Sequence, residues 1–153
     1  MYNCYILPIL TYNCGTWSLN APLENIINIA HRKQLRQILN FKWFHKISNK
    51  YLYEITNSKS ISTLARSARW RLFGHILRLL EETPAFQCMV NFFNCSASKK
   101  IGKPKYNLVS TLQHDCKRLG AFSLTSENDL FYLQNIASDR KTWKHLVEQL
   151  YFD

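Results

Sequence analysis

Glycine and proline are scarce in this sequence, four of each in 153 residues. That scarcity argues against a turn-rich β-fold and for helices. Acidic residues are scarce as well, ten Asp and Glu against twenty Lys and Arg. No two aspartates are adjacent, so two-metal phosphoryl transfer has no evident ligand pair. The neighbouring acids Glu81 and Glu82 read as solvated charge at a helix end. A Gly-rich phosphate loop with lysine and a Gly-x-Ser-x-Gly elbow are both missing, and the expectation is a chain without catalytic residues or cofactor. No apolar run is long enough to span a membrane, and the N-terminal MYNCYILPILTYNC is broken by Pro8 and lacks a basic flank or a small-residue cleavage site. No membrane partner is expected.

Cysteine supplies no framework either. Cys4, Cys14, Cys88, Cys95 and Cys116 are odd in number, and no Cys-x-x-Cys occurs. This usage predicts an intracellular reducing compartment, cytoplasm or nucleus. Cys88, Cys95, His114 and Cys116 are zinc-ligand types, but the six, eighteen and one residues between them match no common zinc site. No metal is expected.

What is present is apolar, aromatic and basic. An apolar share of 46% and an aromatic share of 14% belong to a folded chain. The net charge of +10 is concentrated: between Asn25 and Leu80 eleven basic residues face a single acid, Glu54. Such a field attracts polyanions. Asn20-Ala21-Pro22 is a helix start. Behind it Leu23, Ile26, Ile27, Ala30, Ile38 and Leu39 predict a buried arc, with Arg32, Lys33 and Arg36 opposite. Segment 41–59 predicts a basic, aromatic loop and a short helix near Asn49–Thr56. Its rings Trp43, Phe44 and Tyr51 read as stacking surfaces for nucleic acid or as a small aromatic core under lysines. The core reading is the favoured one for the rings.

A long helix is predicted over Ser60–Glu82, with Pro84 as its stop. Within it, RSARWRLFGHILR (Arg66–Arg78) places Leu64, Ala65, Ala68, Leu72, Phe73, Ile76 and Leu80 on a buried arc, while Ser67, Arg71, Gly74 and Arg78 form a stripe elsewhere. Gly74 marks a close backbone approach, either to a phosphate chain held by Arg71 and Arg78 or to a crossing helix. Arg69 falls near the apolar arc and reads as structural; His75 reads as a boundary histidine. Around SASKKIGKPK the composition is that of an exposed linker. A helix with Leu108, Val109, Leu112, Cys116 and Leu119 on one face, ended by Gly120, follows, and then helices near 126–136 and 138–150.

In this order the segments resemble the region that follows the reverse-transcriptase palm in non-LTR (LINE-type) retrotransposon polyproteins. LPILTYNCGTW (Leu7–Trp17) resembles the family's proline-leucine-leucine-tyrosine-glycine-x-glutamate-x-tryptophan stretch, with Asn13 and Gly15 in place of its glycine and glutamate. RQILNFKW (Arg36–Trp43) resembles a basic helix end, with Asn40 where the family has glycine; Asn49 and Leu52 match a pair that follows. RWRLFGHILR (Arg69–Arg78) is similar to the family's basic-tryptophan-x-x-x-glycine-histidine-x-x-arginine string. GKP (Gly102–Pro104), DCKRLG (Asp115–Gly120) and ASDRKTW (Ala137–Trp143) resemble the Gly-Arg-Pro turn and the closing helices.

The resemblance implies a fragment of an RNA-directed DNA polymerase without its catalytic aspartates, whose thumb-like region holds RNA or an RNA–DNA hybrid and makes no bonds. Residues 1–20 are then a remnant of the segment after the palm, 21–93 the basic thumb-like region, 94–106 a linker and 107–153 a closing helical region. The expected fold is all-α, a single irregular bundle of about five helices with a basic extended linker. The expected phosphate contacts are Arg32, Lys33, Arg36, Lys42, Lys46, Arg71 and Arg78, with Lys99, Lys100, Lys103 and Lys105 on the linker. The apolar stretch 1–17 is expected to meet the absent palm or a host protein. Two rival readings are a domesticated protein-interaction module and a non-functional relic.

Overall fold

The computed structural model describes residues 2–94, 107–119 and 124–149. Among them are eight α-helices and no strand, so the fold is all-α. The helices are α1 (Leu7–Leu10), α2 (Ala21–Ile38), α3 (Asn49–Thr56), α4 (Ile61–Leu77), α5 (Pro84–Asn94), α6 (Leu108–Leu119), α7 (Glu127–Ser138) and α8 (Arg140–Gln149). The single bundle of about five helices gives way to two compact units, Met1–Arg66 and Ser67–Asp153, divided inside α4. The linker 94–106 lies largely, and the Gly120 stop wholly, outside the described residues.

In the first unit α2 begins as its sequence dictates. The Asn20 side-chain oxygen accepts the Leu23 N–H at 3.0 Å, and Pro22 sits in the first turn where its missing N–H costs nothing. Its buried face, however, is not the isoleucine arc. Glu24, Asn28, His31 and Leu35, at spacings of four, three and four, turn inward instead, a rotation of roughly 100° from the expected face. Each polar member of this face is matched. Glu24 pairs with Arg66 at 3.5 Å. The Asn28 amide donates to the Ser62 hydroxyl at 2.9 Å and accepts from the Ser62 backbone N–H at 3.2 Å. His31 stacks between the rings of Tyr2 and Tyr53, and its Nδ1 meets the Tyr2 hydroxyl at 2.8 Å. Leu23, Ile26 and Ile38 of the expected arc are left exposed. So are Tyr5, Ile6, Ile9 and Tyr12 of the N-terminal stretch, while Cys14 and Gly15 are buried.

Two helix ends in this unit close through left-handed asparagines. Asn40, at φ 54°, ends α2: its N–H donates to the Gln37 carbonyl and that of Phe41 to the Arg36 carbonyl. Asn57, at φ 45°, ends α3 with bonds to Glu54 and Tyr53 in the same pattern. Glycine is the usual residue at such an end, and asparagine is the side chain that best tolerates it. Asn13, at φ 51°, occupies the same region ahead of the turn Cys14–Thr16.

The second unit holds the apolar core, built from Trp70, Phe73, Leu77, Phe86, Leu112, Leu133 and their neighbours. Helix α4 stops at Leu77 rather than running to Glu82, through tighter turns that bond Arg78 to His75 and Leu79 to Ile76. Leu80, expected in the buried arc, is therefore exposed. Pro84 opens α5 instead of ending α4, because a proline fits a first helical turn as well as it fits a stop. Ser126 and Asp129 cap α7 reciprocally, and Asp139 accepts the Lys141 and Thr142 N–H groups at the start of α8. The Thr125 and Ser126 N–H groups hold the Asp129 carboxyl below the usual aspartate range, and the Thr142 hydroxyl, with the Lys141 and Thr142 N–H groups, does the same for Asp139.

Three contacts of the Arg66–Arg78 stretch lock this unit together. Arg69 is buried and donates to Asp115 Oδ2 on α6 at 2.7 Å. The Trp143 indole of α8 lies in the notch left by Gly74, where a Cβ would overlap it, and its Nε1–H donates to the Trp70 carbonyl at 3.1 Å. Arg78 Nη1 donates to the Ala137 carbonyl at the end of α7 at 3.0 Å. Of the two readings of Gly74 the crossing-helix notch is the one the structure has, and the backbone offered to a phosphate in the other is covered by tryptophan.

Candidate nucleic-acid interface

Ile29, Arg32, Lys33, Arg36 and Gln37 follow the i, i+3, i+4, i+7, i+8 spacing of one helix face. This face of α2 and the loop beyond it form an open groove of about 640 Å³, lined also by Phe41, Lys42, Trp43 and Asn49. Four of the expected cations, Arg32, Lys33, Arg36 and Lys42, therefore converge on one surface. No carboxylate among the described residues forms an ion pair with any of them. Lys46 sits on the same loop, exposed and at φ 48°.

The loop is held rather than merely tethered. Arg36 Nη2 donates to the Asn49 side-chain oxygen at 2.7 Å and reaches the Ile47 carbonyl at 3.5 Å. Ser48 caps α3 by accepting the Tyr51 N–H. The Lys42 N–H donates to His45 Nδ1 at 2.9 Å, and the His45 N–H returns a bond to the Lys42 carbonyl. On this turn Trp43 is 88% exposed; Phe44 meets it edge-on at 6.1 Å and packs on His45 at 4.4 Å. Phe44 and Tyr51 are exposed too, which removes the small aromatic core expected here. The sequence offers Trp43, between Lys42 and Lys46, as a stacking surface, but the favoured reading of it is the aromatic core, so Trp43 is not among the expected contacts.

On the buried face of α2, burial pushes the His31 imidazole below its ordinary value of 6.5; the Lys59 carbonyl opposes the shift and the Arg32 charge adds to it. The remaining expected contacts belong to the second unit. Arg71 is exposed there, whereas Arg78 is half-buried on the Ala137 carbonyl, with its pKa lowered by burial and by the nearby Arg140. Lys99, Lys100, Lys103 and Lys105 lie outside the described residues. Burial also pushes the Cys116 thiol up to about 11. His114 and Cys88 are exposed, and Cys95 lies outside the described residues. Among the described residues no helix is long and apolar enough to cross a membrane. No protein-family model, curated protein or solved structure matches the chain.

Proposed function

We propose that this chain derives from the region after the palm in a non-LTR retrotransposon reverse transcriptase and binds RNA or an RNA–DNA hybrid without catalysing a reaction. The observation that carries the binding is the convergence of Arg32, Lys33, Arg36 and Lys42 on one groove, with no carboxylate ion-paired to them among the described residues. Phosphate contacts of this kind are tolerant of sequence. The origin draws support from how the residues behind the resemblance interlock: Arg36 with Asn49, Arg69 with Asp115, and Gly74 with Trp143. The family's two glycines replaced by Asn13 and Asn40 fall where the backbone is left-handed, a conformation asparagine can supply. Free thiols at Cys4, Cys88 and Cys116 suit an intracellular setting.

A second reading rests on the exposed Tyr5, Ile9 and Tyr12, of which Ile9 is 75% and Tyr12 81% exposed. It makes this stretch a docking surface for a palm or a host protein. A mobility shift with structured RNA separates the two. Arg32→Glu/Lys33→Glu is expected to weaken binding at least tenfold and flatten its salt dependence, each lost phosphate contact lowering the log–log slope by roughly one. Arg71→Glu/Arg78→Glu serves as the comparison. Affinity indifferent to salt and to the Arg32/Lys33 change would leave only the docking reading.

A further inference from the structure

We infer that Trp43 is a stacking platform for an unpaired nucleobase, so that the groove takes single-stranded nucleic acid in preference to duplex. The inference rests on the binding reading above and specifies its ligand. An indole 88% exposed leaves most of its apolar surface in water, a hydrophobic cost that packing does not offset, and among the described residues its one aromatic neighbour is Phe44, met edge-on. Its mounting is nevertheless rigid. The Lys42–His45 bonds close the turn beneath it, Lys46 turns the chain through a left-handed conformation, and Arg36 ties the far side of the loop to α2. A platform fixed before binding loses little conformational entropy when a base settles on it.

The charge beside it has the matching form. Arg32 and Lys33 lie roughly one-and-a-half to two helical turns before the loop, on the groove that Trp43 lines. A strand whose base stacks on the indole can lay its backbone along those cations. A duplex cannot do both, because its bases are paired and stacked on one another and only its phosphates are open to the groove. An acidic protein segment would satisfy the cations but has no use for a bare indole face ringed by positive charge.

The test uses the full chain and three probes: a dye-labelled oligouridine strand, an RNA–DNA duplex of equal length, and heparin as a charge-only polyanion. Trp43→Ala is expected to lower affinity for the oligouridine by about 5- to 100-fold and to leave duplex and heparin binding and the salt slope unchanged. Trp43→Phe is expected to keep most of the single-strand affinity. Circular dichroism of both variants should match the parent, the side chain being exposed. If Trp43→Ala leaves oligouridine binding intact while Arg32→Glu/Lys33→Glu abolishes it, stacking is overturned and the phosphate reading stands. An equal loss for all three probes also overturns stacking, leaving Trp43 only a loop-shaping role. If neither variant changes binding to any probe, both the stacking and the groove itself are overturned.

Discussion

A methyl group on Gly74 would land on the indole of Trp143, which is buried and anchored by its bond to the Trp70 carbonyl. Gly74→Ala therefore sets a helix-propensity gain of about 1 kcal/mol against overpacking of about 1–3 kcal/mol or more, and the clash wins. Denaturant melts should show net destabilisation, and adding Trp143→Leu should make the alanine cheaper than it is alone. Asn40 poses the opposite problem: its left-handed φ closes α2 at a position that suits glycine. Asn40→Gly should be neutral or slightly stabilising, whereas Asn40→Ala should cost about 1 kcal/mol, read from the same melts. Both positions stand inside the quoted motifs, yet a sequence shows only that a special residue is there. Whether Gly74 faced a phosphate or a ring depended on Trp143, far away in the chain.

Among the elements, α2 teaches the most. Its start was legible from Asn20 and Pro22, because caps are local chemistry, and α3 was expected near the Asn49–Thr56 that it occupies. The buried face of α2 was not legible, since Asn28 and His31 look like surface residues until Ser62, Tyr2 and Tyr53 supply their partners. This polar packing should respond to acid. His31 binds a proton less readily folded than unfolded, so the unfolded state takes up more protons below about pH 6.5. The stabilisation is complete above that value and is lost as pH falls beneath it. Thermal melts at pH 7.5 and 5.5 should show the first unit weakening at the lower pH, and His31→Phe should remove that part of the difference. Between α4 and α6 the relation is ionic. Arg69→Met or Asp115→Leu alone should cost about 3–5 kcal/mol by stranding a buried charge. The double replacement should recover much of the loss, as a double-mutant cycle would record. Pro84 marks the limit of local signals, because a stop and a start are written with the same residue.

At the scale of the whole molecule, the helical class and the basic bias of 25–80 were plain from composition, and the division into two units was not. The cut falls between Arg66 and Ser67 within a continuous helix, with no Pro or Gly beside it to announce it. The tryptophans are shared between the units in a way that bears on how the protein can be watched in solution. Trp17 and Trp43 belong to the first unit, Trp70 and Trp143 to the second, and the latter two are buried. Emission should thus contain a blue, shielded component and a red, accessible one dominated by Trp43. Because Trp43 stands among cations, iodide should quench the red component more efficiently than caesium does at equal ionic strength, and Trp43→Phe should abolish most of that contrast. The indole left in the open is a built-in dye, sensitive to the sign of whatever charge approaches it.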